Sequence, residues 1–98
     1  RMVQRLVHNT FLPGEFVIKR GSVATEMYFI KRGKCDALAP DGVSIITTHT
    51  PGQFFGQHAL LYRCEQPVSF RAVDFLDVWV MAKGDFEELQ ISAPVSAW

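Results

Sequence analysis

Ninety-eight residues suffice for one domain and not for two, and no apolar run approaches the ~20 residues of a membrane-spanning helix. Ten Lys and Arg balance ten Asp and Glu, so the basic excess of a dedicated nucleic-acid binder is missing. The two cysteines, Cys35 and Cys64, form no CxxC pair. That leaves no zinc ribbon or thioredoxin motif and points to two free thiols in a reducing, cytoplasmic setting, with a disulfide between them as the alternative. No signal peptide is visible in the sequence, and the chain, which opens on Arg1, is read as residues 1–98 of a longer protein, forming one domain that is not expected to insert into a membrane itself.

Turn signals punctuate the first half: Pro13-Gly14, Gly21, Gly33, Pro40-Asp41-Gly42 and Pro51-Gly52. The gaps between these glycines are 7, 12, 9 and 10 residues, close to the ~8–12-residue rhythm of short strands in a sandwich or barrel. Strands are predicted between them at 16–20, 27–32, 34–39 and 43–48. The β-branched run from Ile45 to Thr48 suits a strand, and Asp41-Gly42 reads as a hairpin turn.

The middle changes character. Phe54-Phe55-Gly56 leads into a short helix predicted at 57–62, which polar residues and Pro67 end. Further strands are predicted at 68–73 and 77–82. The Val78-Trp79-Val80-Met81 run is apolar on both faces, as in a buried strand. A last helix is predicted from Asp85, with Asp85 as N-cap and Glu88 completing a capping box. The fold class is mainly β: an antiparallel β-roll or jelly roll over about 11–82, with a short inserted helix and a C-terminal helix at about 85–92.

Several motifs, in order, resemble the cyclic-nucleotide-binding domain family. They are Phe11-Leu12-Pro13-Gly14-Glu15 through Gly21, Glu26-Met27-Tyr28-Phe29-Ile30-Lys31-Arg32-Gly33, and Pro51-Gly52-Gln53-Phe54-Phe55-Gly56-Gln57-His58-Ala59-Leu60-Leu61-Tyr62. Asp77 to Met81 and Asp85 to Leu89 match the family's final strand and following helix. The third motif is similar to the phosphate-binding cassette. There, a glycine lets backbone approach an anion, and the first N–H groups of a short helix point at it. Those donors are expected from His58, Ala59 and Leu60. The resemblance implies cAMP or cGMP as ligand, a pocket at Gly56 to Leu60 and Gln66 to Ser69, and no metal or other cofactor.

The sequence departs from the family at three cassette positions. Gln57 stands where the family has a Glu for the ribose hydroxyl, and Gln66 where it has an Arg for the cyclic phosphate. Pro67 stands where a backbone N–H is needed, along the stretch that continues to Val68 and Ser69. Removing one partner of a buried charge pair costs ~2–5 kcal/mol, roughly 30- to several-thousand-fold in affinity. Arg63 is the candidate for compensation; Arg71, in a strand, is expected to face away. His58 reads either as a protonatable anion ligand or as a neutral ring packed locally. His8 and His49 are expected on the surface, Phe54 and Phe55 in the core, and Glu87 and Glu88 on a helix surface.

The reading is a cytoplasmic regulatory domain, not an enzyme, with weak or lost cAMP and cGMP binding. Its partner is the rest of a parent protein, and the resemblance is to the domains of cyclic-nucleotide-gated and hyperpolarisation-activated channels. The alternatives are a working sensor with replacement contacts and a structural or protein-interaction module. The family's C-terminal lid helix is expected to be absent, since Pro94 interrupts the nine residues after Leu89. The tail at 95–98 is a candidate for filling the pocket.

Overall fold

Short strands joined by tight turns fold here into two antiparallel sheets. The computed structural model describes residues 6–94, so the tail at 95–98 lies outside the described residues. The elements run β1 (Val7–Phe11), β2 (Phe16–Ile18), β3 (Glu26–Arg32), β4 (Cys35–Leu38), β5 (Ile45–His49), β6 (Phe54–Phe55), α1 (Gln57–Tyr62), β7 (Ser69–Ala72), β8 (Leu76–Ala82) and α2 (Lys83–Ser92). One sheet has the order β1-β8-β3-β6 and the other β2-β7-β4-β5. Every paired strand in both is antiparallel, so the architecture is the expected β-roll.

The first sheet is covered on both faces. Successive residues of β3 alternate: Tyr28 and Ile30 enter the core between the sheets, while Met27 and Phe29 enter a second core. That second core also takes Ala59 and Leu60 of α1 and Phe86 of α2. Strand β8 contributes Val78 and Val80 to the first core and Met81 to the second. This explains the apolar run in β8 and fixes α1 against β3.

Four expectations need correction. Strand β5 starts at Ile45 rather than Val43. The Asp41 carboxylate accepts the backbone N–H groups of Val43 and Ser44, both at 2.8 Å, and the Ser44 hydroxyl at 2.6 Å, which holds 43–44 in the turn. Strand β2 stops at Ile18, because Arg20 N–H donates to the Ser69 hydroxyl at 2.9 Å. Helix α2 begins two residues before Asp85, with Ala82 at its N-cap. Strand β8 enters it without a loop, and the first free N–H, of Lys83, donates to the Thr25 carbonyl at 2.9 Å. A neighbouring chain segment supplies the cap that Asp85 was expected to provide. Finally, His49 is half-buried rather than on the surface.

Candidate functional site

The turn from β6 into α1 requires glycine. Gly56 has φ +88° at the N-cap of α1, and a Cβ there would stand 3.0 Å from Ile18 Cδ1 and 3.5 Å from Tyr28 Cδ1. With Gly56 at the N-cap, its carbonyl takes the first bond of the helix from Leu60 N–H. The free donors are therefore those of Gln57, His58 and Ala59, one residue earlier than expected. The side chains of Ala59 and Leu60 are buried in the second core.

Gln66 is the best-buried polar residue of the cassette, 4% exposed. Its side-chain Nε2 donates to the Gly56 carbonyl at 3.4 Å. Its backbone is tied to the turn after β2: Gln66 N–H donates to the Ser22 carbonyl at 3.0 Å, and its carbonyl accepts Gly21 N–H at 2.8 Å. Next to it, Pro67 is exposed and has no N–H. Val68 is half-buried against the core, and Ser69 is committed to Arg20 through the bond already described.

The structure gathers Gly56, Gln57, His58, Gln66 and Pro67 around one cavity of about 100 Å³. His49, Phe54, Phe55 and Phe70 complete its wall, and its lining includes no Lys, Arg, Asp or Glu. On the other side of Gln66 lies a cleft of about 400 Å³, lined among others by Ile18, Lys19, Glu26 and Tyr28. The Tyr28 hydroxyl donates to Glu26 at 2.8 Å. Burial, this hydrogen bond and the Glu26 charge all push its pKa up, so it stays a neutral phenol.

Arg63 stands elsewhere. It is the left-handed C-cap of α1, at the end of the helix opposite Gly56, and lines a different cleft with Val23, Cys64 and Lys83. Arg71 sits on β7 between buried Phe70 and Ala72, so it occupies the other face of that strand. The His58 ring is exposed and packs against Tyr62 with centroids 4.7 Å apart, an i, i+4 contact within α1. Among the described residues no group of three or more His, Cys, Asp or Glu side chains is placed to hold a metal.

The residue that sequence reasoning missed is His49. It pairs across the ladder with Cys35, which is fully buried, and so turns inward. Its ring lies 5.7 Å from Phe55 and 5.8 Å from Phe70. Nδ1 is buried and meets no hydrogen-bonding group among the described residues. Burial pulls the imidazole pKa below its ordinary value. Nothing local signals this placement, because only the cross-strand partner decides which way the ring turns.

The model of the cyclic nucleotide-binding domain family matches residues 8–92. The chain belongs to that family. As a cyclic nucleotide-binding domain it is 31% identical over 99 residues to mouse cyclic nucleotide-gated channel beta-3, covering 97% of this chain and 14% of the channel. It is 30% identical over 90 residues to a cyclic nucleotide-gated channel of Caenorhabditis elegans, covering 86% of this chain and 12% of that channel. The domain thus spans a small part of the curated relatives it matches. Among solved structures it superposes on cAMP-bound PfPKA-R with a TM-score of 0.81, at 26% identity, covering 87% of this chain and 29% of that one. The second cyclic nucleotide-binding domain of a PKA regulatory protein, bound to Sp-2Cl-cAMPS, gives 0.82 at 25% identity, covering 89% and 58%. The regulatory subunit of a cAMP-independent protein kinase A from Trypanosoma brucei gives 0.80 at 21% identity, covering 85% and 30%, which shows the fold alone.

Proposed function

We propose that residues 1–98 are one cytosolic, non-enzymatic regulatory domain of a longer protein, and that this domain holds cAMP and cGMP weakly or not at all at neutral pH. The carrying observation is Gln66. A neutral amide, folded back on the Gly56 carbonyl at 3.4 Å, occupies the position at which the family resemblance implies a guanidinium for the cyclic phosphate. Pro67 supports the same reading by lacking an N–H, and Gln57 by lacking a carboxylate. Arg63, at the far end of α1, is poorly placed to compensate. The volume of the cassette cavity is also small against the about 300–1,000 Å³ of small-molecule sites.

The channel context rests on the relatives, several of which are cyclic nucleotide-gated channels. The proposed parent is a channel of that type, with this domain on its cytosolic side. A parent reading frame carrying membrane-spanning segments supports that assignment, and one carrying a kinase or a helix-turn-helix overturns it. Calorimetry on the 98-residue domain at pH 7.5 tests the binding reading. Dissociation constants well above the micromolar range, that is, binding weaker than about −8 kcal/mol, are expected for both nucleotides. Submicromolar binding of either one overturns it.

A further inference from the structure

The turn after β2 carries a charge pattern that the cassette does not use. Lys19, Arg20, Gly21, Ser22 and Val23 follow one another there, and all five are exposed. Val23 is 77% exposed, an apolar side chain that belongs to neither core. No other Ser or Thr of the chain has a Lys or Arg two or three positions before it. Two cations ahead of a hydroxyl, with an apolar residue after it, complement an acidic groove that receives a hydroxyl for transfer chemistry.

We infer that Ser22 is a phosphorylation site for a serine/threonine kinase that selects basic residues ahead of its acceptor, and that phosphorylation loosens the tie between this turn and Gln66. The γ-phosphoryl group of a magnesium-bound nucleoside triphosphate moves onto Ser22 Oγ. The bond from phosphorus to the departing diphosphate breaks, an Oγ–P bond forms, and the hydroxyl proton passes to the kinase's catalytic base. Ser22 closes a β-turn: its N–H donates to the Lys19 carbonyl at 3.1 Å and its Oγ to the same carbonyl at 2.6 Å. Outside that turn the segment is held by surface bonds. Gly21 N–H donates to the Gln66 carbonyl at 2.8 Å, Gln66 N–H to the Ser22 carbonyl at 3.0 Å, and Arg20 N–H to the Ser69 hydroxyl at 2.9 Å. An isolated bridge joins Val23 to Glu65. A kinase groove takes its substrate extended, so residues 19–23 must peel away, and an exposed turn tied in this way lies at the low-cost end of local opening. Once esterified, Oγ has no hydrogen left for the Lys19 carbonyl, and two acceptor oxygens do not stay at that separation without one. The phosphoryl group also brings about −1.5 to −2 charges at pH 7. Lys19 and Glu26 line the cleft beside Ser22 and Gln66, so the new charge meets a carboxylate there as well as an ammonium. The turn then holds the Gln66 backbone less firmly, and with it the strand-ward side of the cassette.

The test incubates the 98-residue domain with magnesium, ATP and the isolated catalytic subunit of protein kinase A, the basic-directed probe, and places the phosphoryl groups by mass spectrometry. One group, on Ser22, is expected. Ser22→Ala, shown by thermal melting to be folded, is expected to take up none at this turn. A folded variant carrying Lys19→Gln with Arg20→Gln is expected to react about tenfold or more slowly, the scale of one lost charge contact. An unmodified native domain, a label on another residue, or an undiminished rate in the doubly neutralised variant overturns the site. Amide hydrogen exchange followed by NMR then reads the consequence. In the phosphorylated domain the Gly21 and Gln66 amides are expected to exchange about tenfold faster, the scale of one net hydrogen bond lost, while those of β8 keep their rates. Unchanged exchange at Gly21 and Gln66 overturns the coupling to the cassette. The weak-binding reading fails differently, by submicromolar cAMP binding to the unmodified domain.

Discussion

Gly33 shows how a single residue constrains the roll. It has φ +93°, and a Cβ there would fall onto the Phe75 carbonyl oxygen and within 2.8 Å of Asp74 Oδ1. Neither neighbour gives way easily, because Asp74 Oδ1 already accepts Lys34 N–H at 2.9 Å and Val73 N–H donates to the Lys34 carbonyl at 3.0 Å. Gly33→Ala is expected to cost about 1–3 kcal/mol or more, the scale of stored backbone strain, seen as a lower denaturant midpoint. Gly84→Ala is the control: it lies in α2 with open space around it, and is expected to be neutral or stabilising by up to about 1 kcal/mol. The cysteines divide just as clearly. Cys35 is fully buried, and its thiol is pushed up to about 12, by desolvation first and the Asp36 charge second. Cys64 is exposed. A maleimide is expected to label one thiol in the native domain and the second only after unfolding; rapid labelling of both would contradict this burial.

At the level of elements, what was legible followed from turn chemistry and what was missed followed from tertiary pairing. The Asp41-Gly42 hairpin and the α1 helix were readable because proline, aspartate and glycine act locally. Strand β1 was not, because Val7-His8-Asn9-Thr10-Phe11 lacks strand alternation and is largely exposed. It is a strand because it pairs in register with β8, with Thr10 donating its hydroxyl to Asp77 at 2.7 Å. Strand β6 is two residues long and exists only through its ladder to β3. The same dependence on a partner strand turned His49 inward, and it has a consequence for stability. The folded pKa of His49 lies below its unfolded value, so the unfolded chain binds a proton first as pH falls. Its contribution is whole above about pH 6.5 and is lost as pH drops from there through the folded pKa. Asp41 and Asp77 act in a lower window. Their folded pKa values are depressed, by the Ser44 and Thr10 hydroxyl bonds first, and their contributions are lost below about pH 4. In low-salt buffer without sulfate or phosphate, His49→Leu is therefore expected to flatten the dependence of melting temperature on pH between about 7 and 5, leaving the fall below 4 intact. An unchanged slope between 7 and 5 in the folded variant would count against the buried ring.

For the whole molecule, scaffold and site separate cleanly. The roll was readable because turn spacing, the cassette glycine and the doubly apolar β8 run all specify the same packing. Of the site, Gly56, Gln57, His58 and Gln66 were readable by position and do meet in one cavity, while its opposite wall, His49, arrives from a distant strand. If the scaffold is sound and only the cassette chemistry has changed, restoring that chemistry should restore function. The triple variant Gln57→Glu, Gln66→Arg and Pro67→Ala is expected to gain measurable cAMP or cGMP binding. Gln66→Arg should contribute most, because it places a full charge opposite the phosphate. Pro67→Ala should add about 0.5–1.5 kcal/mol, the net worth of one hydrogen bond, or more for a charged acceptor. Gln57→Glu should help only together with Gln66→Arg, since a lone carboxylate beside an unneutralised phosphate repels it. The arginine must also break the contact of residue 66 with the Gly56 carbonyl and displace groups around a cavity of about 100 Å³. Part of the gain is therefore consumed in opening the pocket, and recovery should stay below that of an intact cassette. Calorimetry on every single, double and triple variant, with melts to confirm folding, measures each step. A folded triple variant that binds no better than the original chain would mean that the roll itself is closed, with His49, Phe55 and Phe70 filling the space the phosphate needs.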